Sequence, residues 1–378
     1  MATSTQKALL RELIDLHQEK SPYLDETWEQ VDLNRYVSKE FFAKERSRIS
    51  RALPQIAAHS TELPETGSFL TLEIAGSPIF LVRDEHGVAR AFYNVCRHRG
   101  AQLVSESSGC KKRFSCPYHA WTWNSSGELI AVPHEKTGFP GLDRTDYGLH
   151  SVACQEYAGW IWVNLSEENT IDVAAHLEGM AEDISEMHAG DHVIFDTSVR
   201  DLDANWKLLV EGGIESYHFR VAHKNTIASL FLDNLSSYQC FGPHIRSVLP
   251  RSTLPDLASQ EAEDWDFPKH ANVLYSLFPG TQFLVQEDHF IWIQGIPLAP
   301  DRTRLRLSTL IPAAENTAEK QRYWESHHAL TMTTLDEDFA LAESIQKGMR
   351  SGANTHLNFG RFEGALAKFN GFVDEAIA

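Results

Sequence analysis

Two short pairs of possible metal ligands stand 17 residues apart in the first half of the chain, Cys96-Arg97-His98 and Cys116-Pro117-Tyr118-His119. Each follows a run of strand-forming residues, so each is read as a loop. Two thiolates and two imidazoles offered from two loops can hold a two-iron, two-sulfide cluster, where histidine in place of two cysteines reduces the negative charge and raises the potential. The same residue types suit a structural Cys2His2 zinc site, and spacing alone leaves both open. The other cysteines, Cys110, Cys154 and Cys240, complete an odd, sparse set of five. They read as small packing residues and not as a disulfide framework.

A second constellation begins at Glu215, followed by His218 and His223. In a helix these residues span about two and a half turns. Glu215 and His218 share a face at i, i+3. His223 lies five residues beyond His218, so both imidazoles reach one ion only if the helix is distorted or ends between them. A 2-His-1-carboxylate triad needs one more oxygen ligand and leaves positions open for dioxygen and water. In TTLDEDFALAESIQKGM, Asp338 shares a helical face with Leu335, Leu341, Ala342 and Ile345, so a costly carboxylate projects from an apolar stripe. Asp336 and Glu337 are expected in solvent.

The elements that must position these groups fall into two sets. After a polar helical segment (about 1–50), SFLTLEIAGSPIFLVRDEHGVARAFYNV gives three short strands separated by AGSP and DEHG, turn chemistry at hairpin spacing. This set closes near the aromatic strand Gly159–Val163. Beyond the acidic stretch SEENTID, VIFDTSVRDLD reads as a strand, NWKLLVEGGIESYHFRVAH as one helix, residues 244–312 as an antiparallel set, and Glu319 to Arg350 as a long helix. With no alternating strand–helix series, the fold class is α+β. The expected divisions are 1–50, 51–167 and 168–378.

At 378 residues, 42% hydrophobic and 23% charged, the chain is an ordinary globular protein of about two domains. Its formal charge of −18 argues against nucleic acid and anionic membranes as partners. The N-terminus lacks signal-peptide order and no apolar run suits a membrane span, so a cytoplasmic location is expected. Against this acidity, Arg97, Arg99 and Lys111-Lys112-Arg113 place positive charge beside the first ligand set.

CRHRG followed by CPYHAW resembles the Rieske motif of ring-hydroxylating oxygenases. The two further cysteines that form a disulfide in Rieske proteins of respiratory and photosynthetic complexes are replaced by Ala101 and Tyr118, which points to the low-potential oxygenase type. NWKLLVEGGIESYHFRVAH resembles the iron-binding segment of the same family, with His218 and His223 matching ligands and Glu215 a bridging carboxylate. The family's acidic ligand, followed by Glu and Gln near a Lys-Gly, matches Asp338, Glu343, Gln346 and Lys347-Gly348, which selects Asp338. The resemblance covers about residues 65–365. Glu211-Gly212 departs from it where many members carry Glu-Asn.

The resemblance implies an all-β Rieske domain before a helix-grip catalytic domain with an antiparallel sheet and long C-terminal helices. It implies one 2Fe-2S cluster on Cys96, His98, Cys116 and His119 and one mononuclear Fe(II) on His218, His223 and Asp338. Electrons come ultimately from NAD(P)H through a flavin reductase or ferredoxin. The expected activity is hydroxylation, dihydroxylation or oxidative demethylation of a small apolar or aromatic molecule by dioxygen. Similar proteins form homotrimers in which electrons cross between subunits, and Glu215 is expected to link His119 of one subunit to His218 of the next. Phe219, Asn225, Leu230, Phe231, Phe241 and Ile293 are candidate substrate contacts. The alternatives are a Rieske electron carrier, which needs no second iron, and a zinc-stabilised ligand-binding protein.

Overall fold

The computed structural model describes all residues, Met1–Ala378. They form two compact units, Ser50–His176 and a larger unit of Met1–Ile49 with Leu177–Ala378. The smaller unit is therefore an insertion in the sequence of the larger. The N-terminal segment contains helix α1 (Thr3–Glu19) and strand β1 (Glu29–Asp32), so it is only partly the helical stretch expected.

The inserted unit is built from strands β2 (Gln55–His59), β3 (Ser68–Ile74), β4 (Ser77–Arg83), β5 (Ala89–Tyr93), β6 (Ser108–Cys110), β7 (Arg113–Ser115), β8 (Thr122–Asn124), β9 (Leu129–Ala131), β10 (Ser151–Tyr157) and β11 (Trp160–Asn164). They form a seven-stranded sheet, β2-β11-β10-β5-β4-β3-β6, and a three-stranded sheet, β7-β8-β9. The AGSP signal becomes a two-residue hairpin: Ile74 pairs with Ser77, and Ala75 and Gly76 both take positive φ, 51° and 75°. Such a loop matches the twist of its flanking strands. In DEHG the Asp84 carboxylate closes the turn by accepting the amides of His86 (2.8 Å) and Val88 (2.9 Å). Phe69, Phe80, Phe92, Phe114, Trp121 and Trp123 fill the core on which Cys96 and Cys116 rest.

In the larger unit, strands β12 (His192–Leu202), β13 (Ser237–Phe241), β14 (His244–Pro250), β15 (Ala271–Leu277), β16 (Thr281–Val285), β17 (Phe290–Ala299) and β18 (Arg302–Pro312) make one antiparallel sheet ordered β12-β18-β17-β16-β15-β14-β13. Strand β19 (His356–Phe359) pairs with β1. Of the helices, α2 (Trp206–Gly213) precedes the second ligand set, the single turn α3 (Phe219–Ala222) is flanked by His218 and His223, the 29-residue α4 (Gln321–Met349) carries Asp338, and α5 (Gly364–Ile377) ends the chain.

The expected single helix over residues 205–223 is in fact two. The Asn205 side chain caps α2 by accepting the Lys207 amide at 2.9 Å. The helix then stops at Gly212-Gly213, residues of low helix propensity. After the break the Glu215 carboxylate accepts the Tyr217 and His218 amides, a side-chain bond that competes with helix continuation as Asp and Asn do in turns.

Candidate metal centres

The two loops of the inserted unit have the same backbone bonding. The Gly100 amide donates to the Cys96 carbonyl and the Ala120 amide to the Cys116 carbonyl, both at 2.9 Å. The amides of Cys96 and Cys116 donate to the carbonyls of Ala101 and Trp121, both at 2.8 Å. Each loop turns through a positive-φ residue, Gly100 at 76° and Ala120 at 56°. Both cysteines are buried, whereas both histidines are half-buried. The rings of His98 and His119 lie 4.7 Å apart, and His98 stacks on buried Trp121 at 5.0 Å with an interplanar angle of 6°.

Burial raises the pKa of the Cys96 thiol, a cost opposed by the amides of His98 and Arg99 pointing at its sulfur. Burial, then the charges of His119 and Arg99, lower that of His98, leaving a neutral imidazole able to ligate. Among all His, Cys, Asp and Glu side chains, only His218, His223 and Asp338 bring three ligand atoms within 4.8 Å of one another. Of the four groups in the inserted unit, the two thiols lie within hydrogen-bonding reach of each other and the two imidazole rings 4.7 Å apart, a pairing that fits a two-iron cluster.

The remaining cysteines differ from one another. Cys154 is half-buried and its thiol is pushed up to about 12, chiefly by burial, in keeping with a packing role. Cys110 is exposed on β6 and does not pack as expected.

In the larger unit His218 and His223 flank the single turn α3, whose end at Ala222 lies between them and lets two histidines five residues apart converge. His218 Nε2 and His223 Nε2 lie 3.1 Å apart. Asp338 Oδ1 sits 3.3 Å from the first and 3.0 Å from the second. Neighbouring donors on a six-coordinate ion with bonds of about 2.1 Å are separated by about 3.0 Å, so this triangle fits one face of such an ion, with the remaining positions open. His218 Nδ1 meets the Glu215 carboxylate, which fixes the ring. Burial alone would lower the His218 pKa, but the Asp338 and Glu215 carboxylates outweigh it and lift it to about 10. The same triangle holds Asp338 below the usual carboxylate range, the bonds from His218 and His223 outweighing its burial.

Two expectations fail here. Glu337 is not free in solvent: its carboxylate accepts from His223 Nδ1 at 2.8 Å and from the Thr226 hydroxyl at 2.6 Å. Asp336 does lie in solvent, paired with Arg200. Among the proposed substrate contacts, only Ile293 lines the cavity of about 300 Å³ beside Glu215, His218 and Asp338. Phe219 and Phe231 pack on each other, Asn225 and Leu230 are exposed, and Phe241 packs beneath Arg246. Leu208, Leu209, Leu335 and Phe339 supply much of the apolar wall instead. Their periodicity is visible in the sequence, but the side of each helix that faces the cavity is a tertiary property.

The family described as ring hydroxylating alpha subunit (catalytic domain) matches residues 188–378, and the Rieske 2Fe-2S domain matches residues 54–154. The chain belongs to the ring-hydroxylating alpha-subunit family. This alpha subunit is 28% identical over 328 residues to the carnitine monooxygenase oxygenase subunit of Acinetobacter baumannii, covering 84% of each. It is 31% identical over 210 residues to the glycine betaine monooxygenase oxygenase subunit of Pseudomonas aeruginosa, covering 55% of this chain and 45% of that one. A crystal structure of a quaternary ammonium Rieske monooxygenase with an inhibitor superposes with a TM-score of 0.79 at 25% identity, over 95% of this chain and 97% of that one. Naphthalene 1,2-dioxygenase from Rhodococcus sp. shares the fold at 18% identity, TM-score 0.78.

As a Rieske non-haem iron alpha subunit the protein is an oxidoreductase, the terminal oxygenase of its system. Its cofactors are a 2Fe-2S cluster and a mononuclear iron, supplied with NAD(P)H electrons through a reductase. The catalytic-domain match fits the oxygenase reading and not the electron-carrier one, and the Rieske-domain match fits a 2Fe-2S cluster and not zinc. No helix is long and apolar enough to cross a membrane.

Proposed function

We propose that in this terminal oxygenase Cys96, His98, Cys116 and His119 hold the 2Fe-2S cluster, and His218, His223 and Asp338 hold the mononuclear iron. The observation that carries the reading is the triangle of 3.0, 3.1 and 3.3 Å among the Asp338, His218 and His223 donor atoms. When bound, the cluster supplies electron transfer and the mononuclear iron supplies dioxygen activation. The chain's own part is positional. Glu215 fixes the His218 ring and keeps its proton on Nδ1, so that Nε2 points at the ion. The walls of the cavity hold the substrate near the open coordination positions.

The cavity is lined by Glu211, Glu215, Asp338 and Glu363 and by no Lys or Arg, which favours a neutral or cationic organic substrate over an anionic one. A relative that aligns over most of the chain is a carnitine monooxygenase oxygenase subunit, and a shorter match is biphenyl 2,3-dioxygenase subunit alpha. Quaternary ammonium compounds and neutral aromatics are therefore the classes to screen by substrate-dependent oxygen uptake. Exposed Arg99, Lys112 and Arg113 near the cluster would receive an acidic ferredoxin or reductase. The protein would act in the cytoplasm as a homotrimer, with Glu215 reaching His119 of a neighbouring subunit, and light scattering would test that state.

The purified protein is expected to be brown with about three irons per chain, two from the cluster and one mononuclear. His218→Ala and Asp338→Ala are expected to lose the third iron and all oxygenation while keeping the Rieske spectrum. Loss of that spectrum from a folded variant, or stoichiometric colourless zinc, contradicts the assignment.

A further inference from the structure

We infer that Glu337 is the positioning residue of His223, forming a second carboxylate–imidazole pair beside that of Glu215 and His218. The inference rests on the reading of His218, His223 and Asp338 as iron ligands. His223 is 1% exposed, so both of its ring nitrogens must find partners inside the protein. Nε2 faces Asp338 and His218. Nδ1 donates to Glu337 Oε2 at 2.8 Å. That bond places the ring proton on Nδ1 and leaves the Nε2 lone pair free for a metal, and a carboxylate behind the ring increases its strength as a ligand.

The same oxygen accepts the Thr226 hydroxyl at 2.6 Å. Thr226 stands three residues after His223, in a turn closed by its own amide donating to the His223 carbonyl at 3.0 Å. One carboxylate thus ties both the ring and the following turn to α4. Glu337 and Asp338 are adjacent on that helix, where successive side chains point about 100° apart. Asp338 can therefore reach the ion while its neighbour reaches behind the imidazole. The Glu337 side chain keeps 26% of its surface exposed, so packing gives it no other evident task at this position.

The test is anaerobic Fe(II) titration of cluster-loaded protein against a chromophoric chelator. Glu337→Leu is expected to bind Fe(II) about 10–100-fold more weakly and to shift the ligand-field bands of Co(II) placed at the same site. Glu337→Gln, which retains an acceptor oxygen, should recover most of both. Wild-type Fe(II) affinity and Co(II) bands in folded Glu337→Leu would overturn the inference. If Glu337→Leu does not fold, Thr226→Val serves in its place: a several-fold weaker Fe(II) site supports the clamp, and an unchanged one refutes it. Asp338→Ala separates the two levels of argument. If it still binds the third iron, the ligand assignment fails; if it loses that iron while Glu337→Leu binds normally, only the role of Glu337 fails.

Discussion

Glu215 is held at one oxygen by the backbone amides of Tyr217 and His218 and meets His218 Nδ1 with the other. Both its position and its charge therefore act on a single ring. Glu215→Gln keeps the length of the side chain and removes the charge, so both metals should still load. The cost of a lost charge-assisted hydrogen bond is about 1.5–3 kcal/mol. In stopped-flow experiments the partner should reduce the variant's cluster normally, while reoxidation with substrate and oxygen slows. Wild-type reoxidation in a fully loaded variant would remove Glu215 from the electron path. Glu211 differs because its task is structural. Burial raises its pKa from 4.5 to about 7, against the lowering effect of bonds from Tyr36 (2.6 Å) and Asn370 (2.8 Å) and of the Lys207 and Arg35 charges. Between those two pH values the unfolded chain releases a proton that the folded one keeps. Stability is thus fully present below about pH 4.5 and is lost as pH rises to about 7. At about 1.4 kcal/mol per pH unit the loss is at most about 3.5 kcal/mol. Glu211→Gln lacks it, so urea denaturation should show the variant gaining on wild type between pH 5 and pH 8. An equal difference at both values would contradict this.

The end of helix α2 is the element on which the second metal centre depends, and its two glycines have different surroundings. A Cβ on Gly213 would come within 2.7 Å of the Gln282 amide nitrogen and 3.1 Å of Leu274. Gln282 is anchored by its bonds to the Val210 carbonyl and the Ser276 hydroxyl, so Gly213→Ala should cost about 1–3 kcal/mol. A Cβ on Gly212 meets nothing within 4 Å, and Gly212→Ala should gain about 0.5–1 kcal/mol from helix propensity. Thermal melts of the pair would test this; equal shifts would mean the glycines act only through propensity. The same helix end marks how far sequence reasoning reaches. The Cys/His pairs, the Ala75-Gly76 hairpin and the Asp338 stripe are local patterns whose chemistry is written in neighbouring residues. That the helix is distorted or ends between His218 and His223 follows from the five-residue spacing, and α3 does end there, whereas the earlier break at Gly212-Gly213 is hidden in a pattern that reads as one helix. The role of Glu337 is not local. Asp336, Glu337 and Asp338 offer three carboxylates fanned around α4, and which one meets solvent, imidazole or ion depends on where the His223–Thr226 turn packs against it. The cavity wall is similarly a matter of helix rotation, which is why Ile293 alone among the expected contacts lies on it.

On the scale of the whole molecule, a formal charge of −18 should repel an acidic redox partner everywhere except near a basic patch. Lys111 is already paired with Glu106 at 2.6 Å, whereas Lys112 and Arg113 are exposed. Reversing residues 111–113 should slow cluster reduction at low ionic strength and flatten its salt dependence. An unchanged rate and slope would place docking elsewhere. The pairing of β1 with β19, Glu29 opposite Phe359, also has a consequence for biogenesis. At about 5–20 residues per second of translation, the first of these strands waits roughly a quarter of a minute to a minute for its mate to leave the ribosome. The inserted unit, encoded in one uninterrupted stretch from Ser50 to His176, has all its strands in hand long before then. A nascent chain halted after residue 300 should therefore already protect the cluster loops from protease while Glu29–Asp32 remains open to cleavage.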